Sequence, residues 1–301
     1  MQAPLLVILA GPTASGKTRL AIELAQALST EIISFDSRQF YREMHIGTAA
    51  PTAEELLAAP HHFIADRSFH EHLSAGAFEN EANRLIEQLF IKYPVLIAVG
   101  GSGLFAQAMV QGFDDMSVKN EESRGHWKAI FEAEGLTPLQ TSLRERDPKY
   151  ATEVDMQNHQ RIIRALEVID TTGKPFSAFR KKQPKQRPYR CVWIGTEVDR
   201  GLLHERINQR VLNMLEQGLE AEARALYPFK QHESLQTVGY RELFDYFDGL
   251  HDRDEAIRLI QRNTRHFARR QMTWFRKNEE MHWLAPEKTE EILQLVRSFR
   301  A

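Results

Sequence analysis

The segment that most constrains the fold of this chain is residues 5–25, LLVILAGPTASGKTRLAIELA. Its apolar start, Leu5 to Ala10, predicts a buried strand, and the pattern after Lys17 predicts an amphipathic helix. Between them the sequence fits G-x-x-x-x-G-K-[ST], which indicates a phosphate-binding loop when it joins a strand to a helix. The segment therefore predicts an α/β fold whose first loop binds a phosphate-bearing ligand, and it leaves the identity of that ligand open.

The chemistry of this loop follows from its residue types. Glycines allow backbone N–H groups to turn toward an anion, the helix N-terminus adds a favourable dipole, and Lys17 adds a positive charge. The Thr18 hydroxyl is of the kind that ligates Mg²⁺ in such loops, so Mg²⁺ is the expected cofactor. The residues predicted to bind the phosphate groups are Gly11, Pro12, Thr13, Ala14, Ser15, Gly16, Lys17 and Thr18.

Further apolar runs predict the rest of a parallel sheet. They are Ile32 to Phe35, Val95 to Val99 and Val192 to Gly195, with MHWL at 281–284 as a small final strand. Their alternation with helical patterns predicts an α/β fold, a P-loop NTPase-like parallel sheet core. Residues 114–189 are polar and helix-like, which predicts a helical insertion domain between the two parts of the core, residues 1–113 and 190–301.

Composition excludes several classes of protein. The 301 residues carry a formal net charge of −2, so any nucleic-acid partner must be met by a local basic patch. The single cysteine, Cys191, excludes an internal disulfide and a cysteine-cluster zinc site. The apolar run near the N-terminus is too short for a signal or membrane helix. We expect a soluble, cytoplasmic, monomeric protein with no membrane association.

The acid that a P-loop ATPase uses to hold Mg²⁺ is missing from its usual place. The strand Val95 to Val99 ends in Gly100-Gly101, whereas Asp36 follows the second strand. A phosphate-binding loop with one such carboxylate nearby suits a leaving pyrophosphate as well as ATP. The turn Gly100-Gly101-Ser102-Gly103 is consistent with a tight turn or with a close approach to a ligand that exposes the Ser102 hydroxyl.

Two segments are strongly basic. Residues 258–277 contain seven Lys or Arg and no acid, and Arg258, Arg262, Arg265 and Arg269 fall on one helix face. Trp274 and Phe275 lie at its end. Such a face suits an RNA backbone and an unstacked base, or it is a solvated face paired with acids elsewhere. The second segment, residues 180–190, has six basic residues and no acid. By contrast, the neighbouring His61 and His62 precede a short predicted strand at FIAD, residues 63–66, and we interpret them as structural or as lining the cleft.

Taken in order, eight motifs identify a family. They are GPTASGKT, DSRQFYREMHIGTA, HHFI, GGSGLF, QRIIRALEV, a pattern from Asp199 that reads DR..L..RIN.RV..M, TVGYRE and TR.FARRQ.TWFR. With them the chain resembles the bacterial tRNA dimethylallyltransferase (tRNA isopentenyltransferase) family nearly end to end. The resemblance implies transfer of a dimethylallyl group from dimethylallyl diphosphate to N6 of adenosine 37 in tRNAs that read codons beginning with U. It also implies that the loop binds the diphosphate of this donor and that the insert binds tRNA.

The resemblance also implies roles for individual residues. Asp36 resembles the family's general base, and Ser102 stands where a threonine contacts the flipped adenosine. The catalytic set is therefore Asp36, Ser102 and Lys17. Arg210 and Arg241 are candidates for binding diphosphate, beside the loop itself. The residues expected to contact tRNA are Asp36, Ser37, Arg38, Gln39, Ser102, Arg124, Gln160, Arg161, Ile162, Ile163, Arg164, Gln236, Gly239, Tyr240, Arg241, Arg265, Arg269, Arg270, Gln271, Trp274 and Arg276.

Three positions depart from the family pattern, and three other activities remain open. Ser102 replaces the threonine, which removes a methyl group and some rotamer restraint, Phe105 stands where the family has a tyrosine, and Ala50 replaces a lysine. The alternatives are prenyl transfer to free AMP, ADP or ATP, a P-loop small-molecule kinase, and an RNA-binding ATP switch. A free nucleotide needs neither a large insert nor a basic C-terminal helix, which favours tRNA as the substrate.

Overall fold

The computed structural model describes residues 3–71, 73–113, 120–180 and 184–300. The chain forms two compact units, one of residues 1–110 with 186–301 and the other of residues 111–185. The boundaries predicted from the sequence, 113/114 and 189/190, lie a few residues further along. Part of the predicted insert, 114–119, and part of the basic segment 180–190, namely 181–183, fall outside the described residues.

The first unit is built on one sheet of six parallel strands in the order β3-β2-β4-β1-β5-β6. Parallel strands are covered on both faces, so they appear in the sequence as continuous apolar runs. Every residue of the two central strands β1 and β4 is buried. The strands are β1 Leu5–Ala10, β2 Ile32–Ser34, β3 His61–His62, β4 Val95–Gly100, β5 Arg190–Thr196 and β6 Met281–Leu284.

Alternate residues of β1 serve the two faces of the sheet. Leu6 and Ile8 belong to one apolar cluster, and Leu5, Val7 and Leu9 belong to a second cluster on the opposite face. Helices cover both faces, as in a doubly wound α/β fold. The helices that precede the insert are α1 Lys17–Leu28, α2 Ala53–Ala58, α3 Ala75–Phe90 and α4 Gly103–Gln111.

The second unit is helical. Its apolar core includes Ile162, Leu166 and Ile169, which share one helix face because they are four and three positions apart. The helix that carries them is followed by Gly173, which adopts a left-handed conformation with φ 66° and closes the helix. The helices of this second unit are α5 Glu121–Glu134, α6 Thr137–Arg146, α7 Pro148–Glu153, α8 His159–Thr172 and α9 Phe176–Phe179.

The remainder of the first unit is mainly helical and contains the longest helix of the described chain, α13, with 23 residues. None of the helices in the described ranges is long and apolar enough to cross a membrane. The helices of this part are α10 Arg200–Glu216, α11 Leu219–Leu226, α12 Tyr240–Phe247, α13 Arg253–Phe275 and α14 Thr289–Ser298.

The edge of the sheet differs from the sequence prediction. The edge strand is formed by His61–His62 and not by the predicted segment FIAD, residues 63–66. It pairs with Ile32 and Ile33 of β2. Phe63, with φ 61°, cannot continue a strand, because a left-handed residue breaks the extended backbone. The two histidines are therefore part of the sheet itself.

Candidate active site

The loop between β1 and α1 has the geometry of an anion cradle. Gly16 precedes α1 in a left-handed conformation with φ 85°, and no side chain caps the helix. The N–H groups of the first turn are consequently not satisfied by a capping side chain. An anion at this position would accept those hydrogen bonds and would benefit from the helix dipole.

Part of the loop is anchored to the neighbouring strand β5. The buried Ser15 Oγ lies 2.7 Å from Thr196 Oγ1. A Cβ atom at Gly11 would lie 2.0 Å from the same Thr196 Oγ1, so only glycine fits there. The Ser15 hydroxyl is therefore directed toward the sheet, and the group of Ser15 that remains to bind an anion is its backbone N–H.

Cradle residues line a cavity together with residues from distant parts of the chain. Thr13, Lys17 and Thr18 lie on its wall with Asp36 and Arg210. The rest of its wall combines polar residues with apolar side chains. The apolar side chains are Ile64, Val99, Val211, Met214, Leu219, Val238, Ile260 and Phe267. The cavity therefore offers both charged groups that suit an anion and apolar side chains that suit a hydrocarbon group.

Lys17 is held inside the cradle. Its Nζ donates a hydrogen bond to the carbonyl oxygen of Pro12 at 2.5 Å. Burial lowers the pKa of Lys17 to about 7; nearby Asp36 raises it and Arg210 lowers it further. Near neutral pH this lysine is therefore partly uncharged until an anion binds beside it.

We expect binding of inorganic pyrophosphate to draw about one proton onto Lys17 at pH 8, because the anion favours the charged lysine. Above pH 7 the affinity should therefore fall as pH rises, and below pH 7 this proton uptake should disappear. Calorimetry at pH 8 in buffers of different ionisation enthalpy measures the protons taken up. Lys17→Met should abolish this uptake, and an unchanged value in that variant would contradict the assignment.

Arg210 completes the positive wall of the cavity. Its Nη1 donates to Thr13 Oγ1 at 3.2 Å and its Nη2 to the carbonyl oxygen of Ala49 at 3.4 Å. Burial lowers the pKa of its guanidinium from the ordinary value, while Asp36 and Glu55 oppose that shift. Its place beside the cradle supports the diphosphate role predicted for Arg210. Arg241 is not part of the cavity wall and half of its side chain is exposed, and its diphosphate role stays a prediction.

Asp36 lies in the turn that follows β2. Its Oδ1 accepts a hydrogen bond from the backbone N–H of Arg38 at 3.1 Å, and its own N–H donates to Ser34 Oγ at 3.3 Å. These bonds fix the carboxylate at the cavity wall. The side chain of Gln39 donates to the carbonyl oxygens of Thr48 and Ala49, which holds the neighbouring loop over the same cavity.

Ser102 joins two loops at the carboxyl ends of the strands. Its Oγ accepts from the backbone N–H of Ser37 and lies 3.0 Å from Ser37 Oγ. Trp274 covers the next residue, because a Cβ atom at Gly103 would lie 2.1 Å from its ring. The glycines of this turn therefore serve a close approach by α13 as well as the turn itself.

Gln271 connects α13 to both loops. Its Oε1 accepts from the backbone N–H of Thr13 at 2.9 Å, and its Nε2 donates to the carbonyl oxygen of Gly101 at 2.9 Å. The side chain is 6% exposed. The family resemblance implies tRNA contact for Gln271, but both ends of its amide bond within the protein. Nothing in the sequence around Gln271 indicates this bridge.

A family model described as IPP transferase matches residues 39–278. The chain belongs to the IPP transferase family. Among curated relatives, tRNA dimethylallyltransferase 2 of Porphyromonas gingivalis is 46% identical over 282 residues, which cover 94% of each chain. The tRNA dimethylallyltransferase of Christiangramia forsetii is 45% identical over 294 residues, which cover 97% of each chain.

Solved structures agree with this membership. The tRNA isopentenylpyrophosphate transferase of Bacillus halodurans is 37% identical with a TM-score of 0.72, over 98% of this chain and 96% of that one. A eukaryotic dimethylallyltransferase solved while acting on tRNA has a TM-score of 0.80 at 25% identity, over 94% of this chain and 74% of that one. The predicted fold class and the resemblance to this family are confirmed.

Several residues that this IPP transferase was expected to use for tRNA contact are buried. Tyr240 is fully buried, and its hydroxyl donates to the Glu222 carboxylate. Ile162 and Ile163 belong to the core of the helical unit. These side chains support the fold, so the expectation of side-chain contact is corrected for them. Gly239 is buried too, and it lines the cavity.

The basic face of α13 divides into paired and unpaired residues. Arg258 forms an ion pair with Glu255 at 2.5 Å, and Arg265 donates to Asn208 Oδ1. Arg269 and Arg276 are exposed and form no ion pair within the described parts of the chain. The unpaired end of the helix, with Trp274 38% exposed, is the part best suited to a polyanion.

The remaining candidates for tRNA contact lie at the surface or are held by neighbours. Arg38 donates to the carbonyl oxygen of Ser234, and Gln236 donates to that of Lys230. Arg270 is exposed, with its guanidinium 5.7 Å from the Phe267 ring. In the helical unit, Gln160 and Arg161 are exposed in the first turn of α8, Arg164 pairs with Glu167, and Arg124 lies in α5.

Proposed function

We propose that this chain transfers a dimethylallyl group from dimethylallyl diphosphate to N6 of adenosine 37 in tRNA and releases diphosphate. The tRNAs are those that read codons beginning with U. The observation that carries the proposal is the single cavity in which the anion cradle, Asp36 and apolar side chains meet. The names of the curated relatives support both substrates.

In this reaction the cradle binds the leaving group. The first-turn N–H groups of α1, Lys17 and Arg210 face the position of an anion and neutralise the charge that develops as the C–O bond breaks. The apolar side chains of the cavity accommodate the dimethylallyl group and exclude water from the reacting carbon. Both features act on the donor, and neither requires tRNA.

Asp36 is the proposed general base. The C–N bond forms between the dimethylallyl carbon and adenine N6, the C–O bond to diphosphate breaks, and one proton of the amine passes to the Asp36 carboxylate. The Arg38 N–H holds this carboxylate through Oδ1. Since adenine N6 cannot be reached within a stacked anticodon loop, the base must leave the stack, at a cost of about a few kcal/mol.

Thr18 is the residue proposed to hold Mg²⁺. It lies on the cavity wall in the first turn of α1, and the described residues contain no group of three or more His, Cys, Asp or Glu that could bind a metal by themselves. Mg²⁺ commonly binds to substrate phosphates, few protein ligands and several waters, which this arrangement fits. When bound, the ion would lower the negative charge of the leaving group.

Salt dependence should identify the tRNA-binding end of α13. Arg269→Gln is expected to weaken tRNA binding and to lower the slope of log K against log salt concentration by about one, because one phosphate contact is lost. Arg258→Gln is the matched control on the same face, since Glu255 already binds its guanidinium. Fluorescence titrations at several salt concentrations measure both slopes. Equal slopes for wild type and Arg269→Gln would contradict this role.

The function is tested by product analysis. The protein is incubated with unmodified tRNA, dimethylallyl diphosphate and Mg²⁺, and the nucleosides of the digested tRNA are analysed by mass spectrometry. We expect N6-dimethylallyl adenosine at position 37. Prenylated AMP, ADP or ATP in a parallel reaction without tRNA would instead indicate a free-nucleotide transferase, and an ATP-dependent phosphorylated product would indicate a kinase.

A further inference from the structure

A carboxylate that is not itself on the cavity wall holds part of that wall in place. Glu222 in α11 accepts from the backbone N–H of Ile46 through Oε2 at 2.8 Å and from that of Gly47 through Oε1 at 2.9 Å. The Tyr240 hydroxyl also donates to Oε1, at 2.6 Å. Two of these three donors belong to the turn of residues 45–49, which lies between β2 and α2. The function proposed above gives Glu222 no role.

The turn of residues 45–49 forms part of the cavity wall. Gly47, Thr48 and Ala49 line the cavity. A Cβ atom at Gly47 would lie 2.5 Å from the Tyr240 ring, so only glycine allows this close approach. Ala49 has φ 47°, a left-handed conformation that is unfavourable for a residue with a Cβ atom. Such a conformation persists only where the surrounding structure enforces it.

This strained residue presents its carbonyl oxygen to two side chains of the site. The Ala49 oxygen accepts from Gln39 Nε2 at 3.0 Å and from Arg210 Nη2 at 3.4 Å. The Ala49 N–H in turn donates to the Ile46 carbonyl at 2.9 Å. Because Ile46 is one of the two residues that Glu222 holds, a short chain of hydrogen bonds runs from Glu222 to Arg210.

The Arg210 guanidinium spans from this turn to the phosphate loop. Nη1 donates to Thr13 Oγ1 in the loop, and Nη2 donates to the Ala49 carbonyl. A guanidinium is a planar fork whose donors point in fixed directions, so a shift of either acceptor changes the direction of the whole group. Its hydrogen bonds to an anion depend on that direction. The position of the turn therefore bears on how Arg210 meets a diphosphate.

We propose that Glu222 is a positioning residue of the donor site, which acts on the diphosphate through Arg210. By holding the turn of residues 45–49, it fixes the Ala49 carbonyl and, with it, the Arg210 guanidinium. A carboxylate suits this role because it only accepts, and all three of its partners here donate. The inference rests on the function proposed above only in requiring a diphosphate at the cradle.

Glu222→Gln tests the need for two acceptor oxygens. The side chain keeps its shape, but one oxygen becomes an NH₂ group. Since Ile46 and Gly47 donate to different oxygens, this NH₂ group faces one of the two turn N–H groups whichever way the amide is oriented. That hydrogen bond is lost, and the turn is released at one end.

Two controls separate the turn from the stability of the fold. Tyr240→Phe removes the third donor to Glu222 and keeps both hydrogen bonds of the turn. Glu220→Gln makes the same change on the same helix, where the carboxylate pairs with Arg253 at 2.9 Å. Circular dichroism and thermal melting establish that each variant folds.

The readout is the dissociation constant of inorganic pyrophosphate, measured by calorimetry with Mg²⁺. Glu222→Gln should raise it about three- to ten-fold, as expected when one hydrogen bond to the anion is lost. Tyr240→Phe should lower the melting temperature without changing this constant, and Glu220→Gln should match wild type.

A double-mutant cycle tests the route through Arg210. Arg210→Met removes the guanidinium, so adding Glu222→Gln to it should cause no further loss of pyrophosphate affinity. If the two losses multiply instead, Glu222 acts independently of Arg210 and the inference is wrong.

A second variant reaches the same contact if Glu222→Gln does not fold. Ala49→Pro leaves Glu222 intact but cannot adopt φ 47° and lacks the N–H that binds Ile46, so the carbonyl must turn away from Arg210. It should raise the same dissociation constant, again with no further effect in Arg210→Met.

Other outcomes overturn the inference. Equal losses of affinity in Glu222→Gln and Tyr240→Phe would mean that Glu222 only stabilises the fold. Wild-type affinity in folded Glu222→Gln or Ala49→Pro would also contradict it, as would a wild-type protein that does not bind pyrophosphate. The proposed function is decided separately by the tRNA product assay.

Discussion

Asp36→Asn is expected to lower kcat by about 10²- to 10⁴-fold, the usual contribution of a positioned general base, while the affinity for tRNA changes little. Asparagine has the same shape, and its Oδ1 can still accept from the Arg38 N–H, so the turn after β2 should be retained. What the variant loses is the ability to take the proton of the amine. Single-turnover rates and tRNA titrations measure the two effects separately.

The control for this variant is Asp155→Asn. Asp155 makes the same kind of turn, because its Oδ1 accepts from the N–H of Gln157 at 3.0 Å, but it lies in the helical unit. We expect wild-type kcat for this control. If Asp36→Asn also retained a kcat within about ten-fold of wild type, less than the range given above, Asp36 could not be the general base.

Gln271→Leu should weaken both the fold and the donor site. The substitution leaves the Thr13 N–H and the Gly101 carbonyl without their partner, and each unpaired buried group costs about 1–3 kcal/mol. The free energy of unfolding should therefore fall by about 2 kcal/mol or more. Because Thr13 lies in the cradle, the affinity for inorganic pyrophosphate should also fall, by about ten-fold for each 1.4 kcal/mol lost at the site.

Gln261→Leu is the matched control on the same helix, since its amide makes one long hydrogen bond of 3.4 Å to the Asn208 carbonyl. Urea unfolding and calorimetry measure stability and pyrophosphate affinity in both variants. We expect Gln261→Leu to remain close to wild type in both measurements. Full pyrophosphate affinity in folded Gln271→Leu would show that the bridge is not needed to shape the cradle.

The parts of the fold that the sequence predicts are those with a strong local pattern. The run Leu5–Ala10 and the later run that forms β4 are apolar throughout, which is how central parallel strands appear in a sequence. His61–His62 escapes this reasoning, because a two-residue edge strand of polar side chains has no periodicity to detect. Its place in the sheet depends on pairing with β2, which is a tertiary property.

In the functional site, too, the features set by local sequence are predicted and those set by tertiary contacts are not. The phosphate loop and Asp36 are predicted because motif and context are local. The prediction that Tyr240 and Ile162 contact tRNA assumes that every residue of a tRNA-binding segment faces outward. Both side chains are buried, so the assumption does not hold for them. The basic pattern of α13 does not indicate that Arg258 is already paired, since Glu255 precedes the basic run.

The hydrogen bond between Gln271 and Thr13 spans 258 positions of the chain. The phosphate loop is encoded in the first 18 residues, but one of its backbone N–H groups finds its partner only near the C-terminus. Contacts of such long sequence separation form late, because a large loop must close first. During synthesis from the N-terminus, the motif therefore emerges early as a local sequence and becomes a finished binding site only once α13 has been made.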